Sequence, residues 1–294
     1  MDDELRLCAS GSDRQVFFIG GSPKSGTTWL QLLLDRHPEV ACAGETHFLD
    51  QFVPNVGKAI TDHQAYVEWV NESVFTDLNC CPSLGGGQLI ALLSYAFVLM
   101  LEPKIDGKRI KAMGEKTPDN IDNLPVMTRM FPDSKFIQIV RDGRDCAVSG
   151  WHHNKRLATA WDAAVNLRDY ALNFARRWSD HLDIGEEFAL TYPARFHRVK
   201  YEDLSACPVE TLRGLLDFLA VDSSGDVVTA CVDGASFESL TGRRRGQADA
   251  KSFFRKGATG DWRNHFDQPT ERAFLEIAGP WLDRLGYGEV PSVV

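Results

Sequence analysis

An α/β fold with a central parallel sheet flanked by helices is what this sequence predicts, from three observations. A short apolar run enters glycines and leaves as an amphipathic helix. The same strand-turn-helix succession occurs twice more. No repeat, low-complexity tract or long linker separates the three units, so residues 1–294 form one domain, with 1–14 as a flexible N-terminus. Strands alternating with helices give a parallel sheet covered on both faces.

Taken in order, QVFFIGG (15–21) is a buried strand in type. TTWLQLLLDRHPEV (27–40) carries apolar residues at helical spacing and stops before Pro38. LIALLSYAFVLML (89–101) is too short to span a bilayer and predicts a buried helix. SKFIQIV (134–140) reads as the second strand, and RDGRDCAVSGWHH (141–153) as a turn passing into a helix. RFHRVKY (195–201) is the third strand, followed by a helix over VETLRGLLDFLAV (209–221). From 222 to 267 the periodicity fades among Gly, Arg, Lys and aromatic residues, the composition of a long functional loop.

Composition narrows the partners. The 32 basic and 41 acidic side chains give a formal charge of −9, which excludes general affinity for nucleic acid or anionic membrane and leaves room for a local anion site. The seven cysteines lack metal-ligand spacing and read as reduced thiols. The acidic start MDDELRLCASGSDRQ has no signal-peptide pattern, so a cytoplasmic protein without membrane insertion is expected.

The chemistry begins at GGSPKSGTTW (20–29). Gly21 and Gly26 have the separation of a phosphate-binding loop, G-x-x-x-x-G-K-[ST], but Thr27 stands where its lysine belongs. The lysine lies inside the loop, at Lys24. Amides at a helix N-terminus would cradle an anion, with Lys24, Ser25, Thr27 and Thr28 adding charge and hydroxyls. The magnesium-triphosphate apparatus of ordinary NTPases is not evident. A mid-loop lysine could instead neutralise a bridging oxygen as it leaves.

PKSGTTW closely resembles the 5′-phosphosulfate loop of sulfotransferases that use 3′-phosphoadenosine-5′-phosphosulfate (PAPS). VRDGRDCAVSGWHH is similar to that family's 3′-phosphate segment, which implies that Arg141 and Ser149 hold this phosphate. VKYEDL resembles the segment whose tyrosine contacts adenine, here Tyr201, and RKGATGDWRNHF the late motif that closes on the 3′-phosphate through Arg255, Lys256 and Gly257. Trp29, and Ser236-Phe237 in ASFESL, match positions around the adenine. These motifs run from residue 17 to about 266 in family order. The resemblance implies a phosphate-loop fold and sulfuryl transfer from PAPS, without a metal, to a hydroxyl or amine of a small-molecule or carbohydrate acceptor. The product is 3′-phosphoadenosine 5′-phosphate (PAP). Two separate cationic sites suit a donor with two anionic ends.

The acceptor side departs from the cytosolic members. Their base is the histidine of a Lys-Thr-His-Leu-Pro stretch, and Pro118 falls in its place here. GEKTPDN (114–120) and GETHFLD (44–50) resemble instead segments of the carbohydrate sulfotransferases. That match makes Glu45 the candidate base, with Lys116 stabilising the transferring group or the acceptor and His47 as the rival base. His152 and His153 either line the acceptor cleft or face solvent. The cytosolic dimer motif is absent from NHFDQPTER, and Arg243 to Arg245 form a charge run that could clamp the donor or simply be solvated. Eight aromatics (Phe48, Phe52, Tyr66, Trp69, Phe75, Tyr95, Trp151, Trp161) could line an acceptor pocket or pack in the core. Two rival functions stay open: a small-molecule kinase using ATP and magnesium, and a non-catalytic PAP-binding module.

Overall fold

The structure is a computed structural model. It describes residues 14–288 apart from 77, 79–80, 106, 108, 158–165, 245, 248 and 250–256. In chain order the elements are β1 (Gln15–Gly20), α1 (Thr27–Asp35), β2 (Val40–Ala43), α2 (Val53–Ser73), α3 (Gly86–Ile105), β3 (Ala112–Lys116), α4 (Leu124–Met130), β4 (Lys135–Val140), α5 (Gly143–Leu157), α6 (Leu167–Thr191), β5 (Phe196–Lys200), α7 (Tyr201–Ala206), α8 (Pro208–Leu219), α9 (Gly225–Gly234), α10 (Phe237–Thr241) and α11 (Gln268–Arg284). A π-helical turn over Phe48–Phe52 leads into α2, and a 3-10 turn over Pro118–Asn123 follows β3.

Five parallel strands stand in the order β2-β3-β1-β4-β5. Alternation along β1 divides the core. Phe17 and Ile19 face α1, α8 and α9, while Phe18 faces α3 and α4. A third cluster joins α5, α6 and α11 around Trp178 and Phe274. Strand order reverses at β1, and crevices in open α/β sheets form at such a switch point, outside the carboxyl ends of the strands. Pairing Ala43 with Glu115 and Ile19 with Lys116 brings the ends of β2, β3 and β1 level.

Three strands were expected from periodicity and all three are present; β2 and β3 were not. VACA and AMGEK lack the length and β-branched content of a strand, and the second ends in charges that the sheet buries. The helix around 89–101 extends from Gly86 to Ile105, which makes it long and apolar enough to cross a membrane by length and composition. It lies against the sheet through Leu93, Phe97 and Leu101 while Leu92, Tyr95 and Leu99 face solvent, so the expectation of a buried helix holds for one stripe only. The stretch 222–267 is less irregular than its composition indicated, since α9, α10 and a 3-10 turn over Asp261–Asn264 fall within it.

Candidate active site

A cavity of about 590 Å³ opens at the switch point, and the 20–29 loop forms its floor. Gly26 caps α1 with φ of 101°, a left-handed conformation that favours glycine. A Cβ there would stand 2.6 Å from the Tyr201 ring. The loop tightens through Ser25, whose amide and hydroxyl both donate to Ser22 O, at 3.2 and 2.7 Å. The first intrahelical bond is Leu30 N–H to Gly26 O, so the amides before it lie beyond the reach of the helix's own carbonyls. Lys24 also adopts positive φ, 69°, and lines the cavity beside Thr27 and Thr28. Burial pushes its ammonium down to about 8; Glu45 opposes that shift, while Arg156 and Lys116 add to it.

Lys116 ends β3 almost wholly buried. Its Nζ donates to Glu45 Oε1 at 2.5 Å and to Thr28 Oγ1 at 3.0 Å. A buried ammonium is tolerated when paired and hydrogen-bonded in this way. The contact joins the Glu45 loop to the glycine loop, since Glu45 follows β2 and Thr28 begins α1. His47 also lines the cavity, at φ 50°. Its Nδ1 stands 2.9 Å from Asp50 Oδ2, and that hydrogen bond raises the imidazole pKa. Asp50, three residues on in GETHFLD, was missed by motif reading.

On the opposite wall Tyr201 packs edge-on to Trp29, with ring centroids 5.6 Å apart, beneath the Arg141 guanidinium at 4.6 Å. Trp29 Nε1 donates to Ala235 O and thereby fixes the turn that carries Ser236 and Phe237. Phe237 and Gly257 touch: a Cβ on Gly257, which has φ 63°, would meet the ring at 2.8 Å. Arg141 donates to Lys24 O (3.3 Å) and Ala258 O (2.9 Å), which bridges the donor loop and the late loop, while its buried Nε makes no hydrogen bond. Ser149 shares this wall. The cavity therefore gathers Lys24, Gly26, Thr27, Thr28, Trp29, Glu45, His47, Arg141, Ser149, Tyr201, Phe237 and Gly257 from segments far apart in the chain.

Other expected residues sit differently. The Ser25 side chain is fully buried and turned into the loop. Ser236 caps α10 through Ser239 N and stands off the cavity wall. Arg255, Lys256, Arg245 and Trp161 lie outside the described residues. Arg243 stacks over Phe237 at 5.4 Å. His153 lines the cavity; His152 packs between Trp151 and His265. None of the seven described aromatics proposed for the acceptor pocket lines the cavity. Phe48 is in the core, and Tyr66, Trp69 and Tyr95 are exposed. A cavity wall comes instead from α6, whose Tyr170, Phe174 and Arg177 project at i, i+4 and i+7. That stripe was visible in the sequence, but only the fold says which way it faces. Among the described residues no group of three or more His, Cys, Asp or Glu could hold a metal ion.

Comparison with known proteins agrees with this arrangement. The family model described as "Sulfotransferase family" matches residues 16–224. A putative protein-tyrosine sulfotransferase of Caenorhabditis briggsae is 28% identical over 279 residues, 93% of this chain and 89% of that protein. Protein-tyrosine sulfotransferase 2 of Gallus gallus is 27% identical over 285 residues, covering 92% and 69%. In fold the chain is similar to mouse sulfotransferase SULT7A1 complexed with PAP, at a TM-score of 0.60 and 20% identity, over 97% of this chain and 94% of that one. With more than half its length matched by one family model and its glycine loop at the switch point, the chain belongs to the sulfotransferase family.

Proposed function

We propose that the protein transfers a sulfuryl group from PAPS to a phenolic hydroxyl, that of a tyrosine side chain, with Glu45 as the base. The observation that carries this reading is the Glu45–Lys116–Thr28 contact, which sets a carboxylate beside a helix N-terminus fit for a phosphosulfate. PAPS has an anionic group at each end, and the cavity offers a cationic group for each. Lys24 and the α1 amides face one end, with Lys116 buried behind them against Thr28 and Glu45; Arg141 and Ser149 face the other, with Trp29, Tyr201 and Phe237 between them for the purine. The unpartnered Arg141 Nε fits an anion still to be received.

Each residue then has a chemical task. Glu45 accepts the phenolic proton as the oxygen attacks sulfur. Lys24 and Lys116 offset the charge that develops on the transferring group and on the phosphate oxygen that leaves. His47 lines the cavity beside Glu45, and its hydrogen bond to Asp50 raises the imidazole pKa and orients the ring. A phenol, with a pKa of about 10, gives up its proton more readily than an aliphatic alcohol, so a carboxylate base suits it. Tyrosine as acceptor also draws support from the relatives, matched along most of this chain.

A second reading keeps the chemistry and changes the acceptor to a sugar or other small-molecule hydroxyl. It is supported by Glu45 and His47 in the GETHFLD segment, which resembles that of the carbohydrate sulfotransferases.

Two measurements test the proposal. Calorimetry should show PAP binding without magnesium, and much weaker binding of ADP and of ATP with magnesium. At 100 times its dissociation constant, PAP should add about 2.7 kcal/mol of stability. Transfer from labelled PAPS is then followed onto a tyrosine peptide, a simple phenol and a panel of sugars. ATP preferred to PAP would overturn the donor assignment, and PAP binding without transfer to any acceptor would leave a binding module. Label on sugars alone would favour the second reading.

A further inference from the structure

A second carboxylate lies under the site, and the chemistry above does not use it. Glu115 precedes Lys116 on β3 and is completely buried. Burial raises its pKa, and a charged group in the middle of a sheet is costly unless donors surround it. Two side-chain donors are in place, and Thr46, inside the Glu45–His47 segment, also presents its amide and hydroxyl to this carboxylate. Thr117 Oγ1 donates to Glu115 Oε2 at 2.9 Å, and Asn120 Nδ2 donates to Oε1 at 2.7 Å.

Both donors connect to working parts. Asn120 Nδ2 gives its other hydrogen to Ile19 O, at the end of the strand that feeds the donor loop. Its own Oδ1 is buried without a partner. Turning the amide over would pair that oxygen with Asn120's neighbours only by aiming it at a carboxylate and a carbonyl, so those two acceptors dictate its orientation. Thr117 Oγ1 spends its one proton on Glu115 and accepts from His47 N–H at 3.4 Å. The segment from Glu45 to His47 has no helix or strand, and His47 holds a left-handed conformation that a non-glycine residue rarely adopts. Such a segment keeps its shape only when its surroundings fix it.

We propose that Glu115 is a positioning residue: acting through Thr117, it fixes the Glu45–His47 segment and so aims the base, while Asn120 ties the same carboxylate to the donor-loop strand. The inference rests on Glu45 being the base. A carboxylate suits this place because every group facing it is a donor. A glutamine would set its own N–H₂ against one of them.

The test compares Thr117→Val, which keeps the shape and removes the hydroxyl, with Thr117→Ser, which restores it. Hydrogen exchange of the 44–50 peptide is read first, on nucleotide-free protein, and requires no substrate. Thr117→Val should speed that exchange and Thr117→Ser should not. With PAPS and a tyrosine peptide, Thr117→Val should lower kcat about a hundredfold, the scale of a roughly 1 Å misplacement, with KM and PAP affinity unchanged. Glu115→Gln should act in the same direction; if it fails to fold, the threonine pair still decides. Wild-type exchange and kcat in Thr117→Val would overturn the proposal, as would a loss that Thr117→Ser does not rescue. Glu45→Gln runs beside them. Normal turnover in Glu45→Gln would sink the base assignment, whereas a dead Glu45→Gln with a normal Thr117→Val would sink the positioning role alone.

Discussion

The glycine loop proposed to hold the donor and the Glu45 loop proposed to carry the base meet at Lys116, yet they are built in different ways. Residues 20–29 take their shape from local parts, since strand, left-handed glycine, Ser25 bonded back to Ser22 and a helix all lie within one short segment, and Arg141, Pro118 and Lys116 only add bonds to it from outside. Residues 44–47 have no regular structure and lean on Thr117 and Lys116, about 70 residues further along the chain. A self-held loop can be recognised wherever it appears. A loop held from outside takes its function from the contacts it receives, so substitutions should act on the two in different currencies: binding for the first, turnover for the second.

The largest expected effect breaks the base loop. Glu45→Gln keeps the shape and removes the proton acceptor, and it should cut kcat by about 10²–10⁴-fold while PAP affinity stays at its wild-type value. Calorimetry beside steady-state kinetics separates the two. A parallel loss of PAP binding would show that the 2.5 Å contact with Lys116 serves the donor site instead.

Next in size, Gly26→Ala breaks the donor loop. The new Cβ must occupy φ 101° and press on the Tyr201 ring from 2.6 Å. A strain of about 1–3 kcal/mol should lower both thermal stability and PAP affinity. Equal stability and affinity in Gly26→Ala would mean that the loop relaxes freely, and the contrast between self-held and externally held loops would lose its first term.

The same contrast explains what the sequence could disclose. Gly21, Lys24, Gly26 and Thr27 were legible because a phosphate loop is local, and its strand and helix partners lie beside it in the chain. Arg141, Ser149, Tyr201, Phe237 and Gly257 were legible only through the resemblance of whole motifs; spacing alone does not say that four distant segments share a wall. β2 and β3 escaped because their residues serve the site more than the sheet: AMGEK spends two of its five positions on buried charges. The α6 wall of the cavity escaped for a different reason. A Tyr170, Phe174, Arg177 stripe on an amphipathic helix looks like any other until the packing of α6 fixes its direction. Tyr66, Trp69 and Tyr95 are the converse, aromatic residues that suggested a pocket and stand in solvent.

The smallest effect sharpens the comparison, because it titrates the donor loop without a mutation. Burial holds the Lys24 ammonium near a pKa of about 8 in the nucleotide-free protein, against 10.5 for an ordinary lysine. Below about pH 8 the folded and unfolded chains both carry this proton. Between about 8 and 10.5 the unfolded lysine keeps it and the folded one has lost it, so the unfolded state binds more protons and the Lys24 contribution to stability rises with pH. Donor binding has the opposite sign. An anion beside Lys24 favours the charged form, so PAP must bring a proton with it above pH 8, and its affinity should fall by up to about tenfold per pH unit there. Calorimetry in two buffers of different ionisation enthalpy would record that proton uptake at pH 9 and its disappearance at pH 7. Lys24→Arg, which stays charged, should flatten the profile. Glu45→Gln, by removing the group that most opposes the Lys24 shift, should move the onset of the fall to lower pH. A PAP affinity that is level from pH 7 to 9 in the wild-type protein would mean that Lys24 is not desolvated at the phosphosulfate, and that the α1 amides and Lys116 hold the donor without it.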